Sequence, residues 1–94
     1  MTATHYDNAV EKIDRTTAFL MTGAQAQGFA ISADLRISEL HAAQLLGYTA
    51  GHLKNLRQDG KGPQFYHRGV GGSRISYRLT DLAMWVEKGV SNDG

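Results

Sequence analysis

Apolar residues recur in three- and four-residue steps over residues 6–21, where Tyr6, Val10, Ile13, Thr17 and Leu20 form one stripe. Asp7, Glu11, Asp14 and Arg15 lie off that stripe, so the spacing predicts an amphipathic helix. The stripe needs a cover, either the rest of the chain or another copy of it. Residues 22–33 hold two glycines, small side chains and no clear period, and read as a connector. From Leu35 the signals become dense. Ser38 is a good N-cap, Glu39 sits in a first turn where the helix dipole favours an anion, and Leu40, Ala43 and Leu46 mark an inward face ending at Gly47. Thr49 caps a second helix from Ala50 to about Gln58, with Leu53 and Leu56 inward and Gly60 as its stop.

The period then changes from helical to two. Gly62 and Pro63 interrupt the chain, and Gln64–Arg68 and Arg74–Leu79 read as strands around a glycine-rich tip, GVGGS at 69–73. Symmetric pairing about the tip sets Arg68 against Arg74, Tyr66 against Ser76 and Gln64 against Arg78. Opposed arginines repel, which disfavours a hairpin unless an anion is near. Ile75, Tyr77 and Leu79 share one face of the second strand. Thr80 caps a last helix, Asp81 to Lys88, with Leu82, Trp85 and Val86 as its apolar stripe and Gly89 as its stop.

Two short helices joined by a tight turn with glycine fit a helix-turn-helix, although an αα-hairpin in a helical bundle has the same signature. The hairpin after the second helix favours the former. The expected fold class is α+β, mainly α: a winged helix-turn-helix at 35–89 with a two-stranded wing, a helical arm and connector at 1–34, and a tail at 90–94.

Composition narrows the function. The formal net charge is only +1, but its distribution is uneven. Residues 1–35 set Lys12 and Arg15 against Asp7, Glu11, Asp14 and Asp34, a net of −2. Residues 36–79 set Arg36, Lys54, Arg57, Lys61, Arg68, Arg74 and Arg78 against Glu39 and Asp59, a net of +5. A basic segment behind an acidic one is an electrostatic footprint that the whole-chain sum hides. The 94 residues include no cysteine, which excludes a disulfide framework and a thiolate metal site. With no long apolar run and no signal-like start, the expectation is a cytoplasmic protein without a membrane partner.

With Leu53 and Leu56 inward, the opposite arc of the second helix carries Gly51, Lys54, Asn55 and Gln58, with His52 on its shoulder. Asn and Gln can read adenine edges in the major groove, and Lys can reach guanine or phosphate. Gly51 lets the backbone come close to DNA, and the amides capped by Thr49 offer partial positive charge to a phosphate. Arg57 and Lys61 are candidate backbone contacts. A glycine tip flanked by Arg68 and Arg74 suits a minor groove.

The segments RISELHAAQLLGYTAGHLKNLRQDGKGP (36–63) and YHRGVGGSRISYRLTDLAMWVEKG (66–89) resemble the excisionase family of winged helix-turn-helix proteins. These are recombination directionality factors, with AlpA-like regulators and MerR-type DNA-binding domains as relatives. The resemblance covers a short strand leading into a helix with paired alanines (Ala42, Ala43), a basic-Gly-Pro step, an arginine-flanked wing, and a strand ending Tyr-Arg-Leu before a helix with a Trp.

It implies a non-catalytic accessory factor that binds repeated sites beside an attachment site, cooperatively, and bends or organises the DNA. A partner integrase of the tyrosine or serine type then runs excision. Carried over, it places Thr49, His52, Lys54, Asn55 and Arg57 in the recognition helix and Arg68, Ser73 and Arg74 in the wing. Gly51, Gln58, Lys61, Tyr66 and Arg78 complete the candidate DNA-contacting set. Neighbouring copies on DNA are the expected self-partners, joined through the helix of residues 6–21.

Two readings compete: an AlpA-like transcriptional regulator, and a protein-interaction adaptor. No catalytic residue, cofactor or metal is expected. The histidines His5, His41, His52 and His67 lack Cys or carboxylate partners at ligand spacing, and GVGGS joins strands where a P-loop would lead into a helix.

Overall fold

The computed structural model describes residues 5–68 and 74–89. The chain runs α1 (His5–Gln27), β1 (Arg36–Ser38), α2 (Glu39–Leu46), α3 (Ala50–Gln58), β2 (Tyr66–Arg68), β3 (Arg74–Arg78) and α4 (Leu79–Lys88). It is an α+β, mainly helical fold compatible with a winged helix. The three strands form one antiparallel sheet in the order β1-β3-β2. The sheet therefore has one strand more than the expected two-stranded wing, because Arg36–Ser38 pairs with the far edge of β3. Each of β1 and β2 is only three residues long, and β3 serves both as their common partner.

Local chemistry accounts for the helix-turn-helix. Ser38 accepts the His41 N–H and Thr49 accepts the His52 N–H, so each helix starts on a side-chain cap. Between them Gly47, at φ 79°, takes the left-handed conformation that ends α2, and its amide and that of Tyr48 return to carbonyls of the last turn. The core lies where α2, α3, α4 and the sheet meet: Ile37, Ala42, Ala43, Leu53, Tyr77, Leu79 and Leu82 are buried together.

Several expectations need correction. Residues 22–27 are helical, so α1 extends into the expected connector; Ala24 is fully buried, and Leu20, Met21 and Ile31 pack on the core. Burial by α4 and α2 outweighs the weak helical preference of Gly23. Leu40 is not inward but half exposed, because α2 turns its small Ala42 and Ala43 onto the large Tyr77 and Leu82. Gln64 stays outside the ladder, since β2 starts only at Tyr66 after the buried Pro63. Thr80 is not the cap of α4: β3 runs straight into the helix at Leu79, whose N–H donates to the Leu35 carbonyl at 2.9 Å. The register was otherwise as the symmetric hairpin required, with Arg68↔Arg74 and Tyr66↔Ser76. The tip itself, 69–73, lies outside the described residues, as does the tail from residue 90. None of the described helices is long and apolar enough to cross a membrane.

Candidate nucleic-acid interface

Helix α3 is nine residues long and offers its two sides to different surroundings. Leu53 is fully buried and Leu56 packs against the core, which fixes the rotation of the helix. That rotation leaves Gly51, His52, Lys54, Asn55 and Gln58 exposed on one contiguous arc. A Cβ placed on Gly51 would meet nothing within 4 Å, so the space in front of the first turn is open. Thr49 lies at the mouth of this arc with its hydroxyl oxygen already accepting from His52 N–H at 3.0 Å. The His52 ring meets Tyr48 edge-on, with centroids 4.7 Å apart, and this holds the shoulder of the arc.

Arg57 is placed differently from its helix neighbours. It turns inward, donating from Nε and Nη2 to the two carboxylate oxygens of Glu39 at 2.7 and 3.1 Å, with its guanidinium 5.6 Å from the Phe65 ring centre. Tyr77 donates its hydroxyl to the same carboxylate at 2.7 Å. One acid at the start of α2 thus ties the end of α3 to the central strand. Burial pushes the Glu39 carboxyl up, but the hydrogen bonds from Arg57 and Tyr77 outweigh it and hold it below its ordinary 4.5. The Tyr77 hydroxyl moves up, by burial and by its bond to Glu39.

Lys61 follows α3 and is exposed; its carbonyl accepts the Trp85 indole N–H at 3.2 Å, which fixes the backbone there to α4. On the hairpin, Arg74 is exposed and stands in register with Arg68, next to the tip. Ser73 lies outside the described residues. Tyr66 is occupied: its hydroxyl donates to Asp81 at 2.6 Å, and its ring carries the guanidiniums of Arg36 and Arg78 at 4.5 and 5.2 Å. Arg78 also approaches Asp34 at 3.8 Å.

The structure therefore brings Gly51, His52, Lys54, Asn55 and Gln58 to one surface, sets Arg74 on a separate strand, and engages Arg57 and Tyr66 internally. Sequence reading missed Glu39 as the tie between α2, α3 and β3, since its partners are 18 and 38 residues away. It also missed Arg36; the resemblance located the strand but gave its arginine no role. No protein-family model, curated protein or solved structure matches this chain.

Proposed function

We propose that this protein is a non-catalytic factor that binds double-stranded DNA, inserting α3 into the major groove with the β2–β3 hairpin gripping the adjacent backbone or minor groove. The observation that carries this reading is the sorting of α3. Its apolar residues are fixed in the core, while a glycine, a lysine, an asparagine and a glutamine share the exposed arc. Amide side chains and a lysine on a rigid helix are the groups that recognise base edges, and a glycine in the first turn permits close approach. Arg74 on the hairpin and Lys61 just after α3 supply exposed cations for phosphates.

Within DNA-binding factors, the resemblance to excisionases supports a directionality factor that assembles on repeats beside an attachment site and organises it for a partner integrase. Apolar groups left exposed on α1 and α4, Phe19 at 70% and Met84 at 51%, support contact between neighbouring copies. Truncating α1 would remove core residues, so Phe19→Asp is the cleaner probe of cooperativity.

The test is a titration of DNA spanning the attachment site of the host element, with unrelated DNA beside it and a salt series. Stepwise, cooperative complexes confined to the attachment DNA are expected, with affinity falling by about 0.9 log units per log unit of salt for each phosphate neutralised. Specific complexes only at a promoter would favour the AlpA-like regulator. Feeble, salt-insensitive binding to both DNAs would overturn the proposal in favour of a protein-interaction adaptor.

A further inference from the structure

Period-two alternation sorts the sheet into two faces. Ile37, Ile75 and Tyr77 belong to the core side. The registers Arg36↔Arg78, Ser38↔Ser76, Tyr66↔Ser76 and Arg68↔Arg74 place the remaining positions on the outer side. Two opposed arginine registers on one small face are unfavourable unless anions balance them. At the Arg36–Arg78 end the balance comes from within the chain. Asp34 Oδ2 lies 2.7 Å from Arg36 Nε and 3.8 Å from an Arg78 terminal nitrogen. Both guanidiniums rest on the Tyr66 ring, itself anchored through its hydroxyl to Asp81.

The loop that delivers this carboxylate is tightly specified. Leu35, between Asp34 and Arg36, has φ 63°, a left-handed conformation found at no other non-glycine among the described residues. The Ser32 hydroxyl donates to Asp34, and its oxygen accepts the Arg36 N–H at 2.9 Å. The Ser32 and Leu35 amides close the turn on the carbonyls of Arg36 and Ser32 at 3.0 and 2.9 Å. The contact nevertheless stays open to solvent, with Asp34 at 44% and Arg78 at 42% side-chain exposure. At 3.8 Å Arg78 is attracted by the carboxylate without a hydrogen bond to it; its Nε, like that of Arg36, is buried, so contact with a phosphate falls to the terminal guanidinium nitrogens. Arg78 thus offers terminal donors of the kind that fit phosphate oxygens, only partly used by the carboxylate, while Arg36, 20% exposed, adds its charge from beneath. Arg74 and Arg78 are separated by four steps of β3, about 13 Å. Over that length of duplex axis one DNA strand carries about four phosphates.

We infer that the Arg36–Arg78 pair is a second phosphodiester site, taking the DNA backbone that flanks the segment read by α3, and that Asp34 is its built-in competitor, displaced when DNA binds. This inference rests on the DNA-binding reading above. The outer sheet face then continues the grip of the wing, and the acid sets how strongly flanking DNA is held.

The experiment is a fluorescence-anisotropy titration of a duplex longer than the recognised site, in a salt series, with wild type, Asp34→Asn, Arg78→Gln, the double variant, Asp14→Asn and Lys54→Ala. Asp34→Asn is expected to bind several-fold tighter at low salt, with a log–log salt slope steeper by up to about 0.9. Arg78→Gln is expected to bind more weakly with a shallower slope, and the double variant to gain nothing over Arg78→Gln. Asp14→Asn, the same charge change on the exposed side of α1, is expected to gain little. A gain from Asp14→Asn equal to that from Asp34→Asn, or a double variant that keeps the gain, would overturn the inference. If Asp34→Asn does not fold, Arg78→Gln alone decides, and an unchanged slope refutes the site. Should Lys54→Ala lose affinity while the Asp34 and Arg78 variants match wild type, the second site fails and α3 recognition stands. Failure of wild type to bind any duplex would instead remove the DNA-binding reading and this inference with it.

Discussion

Replacing Glu39 tests how the recognition helix is held. Its carboxylate accepts two hydrogen bonds from Arg57, at 2.7 and 3.1 Å, and one from Tyr77 at 2.7 Å. The Glu39 and Arg57 side chains are 18% and 16% exposed, so this pair lies between a surface bridge and a fully buried one. Surface pairs contribute about 0–1 kcal/mol, whereas removing one partner of a buried pair costs about 3–5 kcal/mol. Glu39→Ala strands the Arg57 charge and the Tyr77 hydroxyl, and about 2–3 kcal/mol is expected. Glu39→Gln keeps one carbonyl acceptor and the shape, and about 1–2 kcal/mol is expected.

The pH dependence gives an independent check. The folded carboxyl titrates below its ordinary 4.5, so its stabilisation is fully present above that value and is lost as pH falls through the lowered one. Urea unfolding of wild type and Glu39→Gln at about pH 7 and about pH 3 should therefore show a gap that narrows in acid, with unchanged m-values. A cost below about 0.5 kcal/mol at neutral pH, or the same gap at both pH values, would refute the reasoning.

Three further outcomes follow from α3 and its turn. Gly51→Ala should raise stability by about 0.5–1 kcal/mol, because the added methyl meets nothing within 4 Å, yet weaken DNA binding by blocking close approach; thermal melts and DNA titration check both halves. Asn55→Ala and Gln58→Ala, both exposed, should leave stability within about 0.5 kcal/mol of wild type and relax base preference in a binding-site selection. Thr49→Ala should cost about 1 kcal/mol in urea unfolding through loss of the His52 N–H cap.

Local chemistry was the most legible part of the chain. The caps at Ser38 and Thr49, the left-handed Gly47 and the burial of Leu53 depend on neighbours a few residues away, and α3 spans Ala50–Gln58 as its spacing predicts. The hairpin register was readable because period two and a glycine tip leave little choice. Long-range pairing was not readable: Arg36–Ser38 finds β3 some 40 residues later, and nothing in three residues announces it. For the same reason α1 outran its apolar stripe, since its last turns are buried by tertiary packing. The exposed arc of α3 followed from helical periodicity once its core face was fixed. The inward turn of Arg57 and the approach of Arg78 to Asp34 did not, because each needs a partner delivered by another element.

The most direct measurement is amide chemical-shift mapping of the isotopically labelled protein as duplex DNA is added. The account predicts perturbations concentrated at Gly51, His52, Lys54, Asn55 and Gln58, with a second group on Arg74 and its strand neighbours, while the solvent side of α1 stays unchanged. Perturbations centred on α1 and α4 with α3 silent, or none at all at saturating DNA, would contradict it.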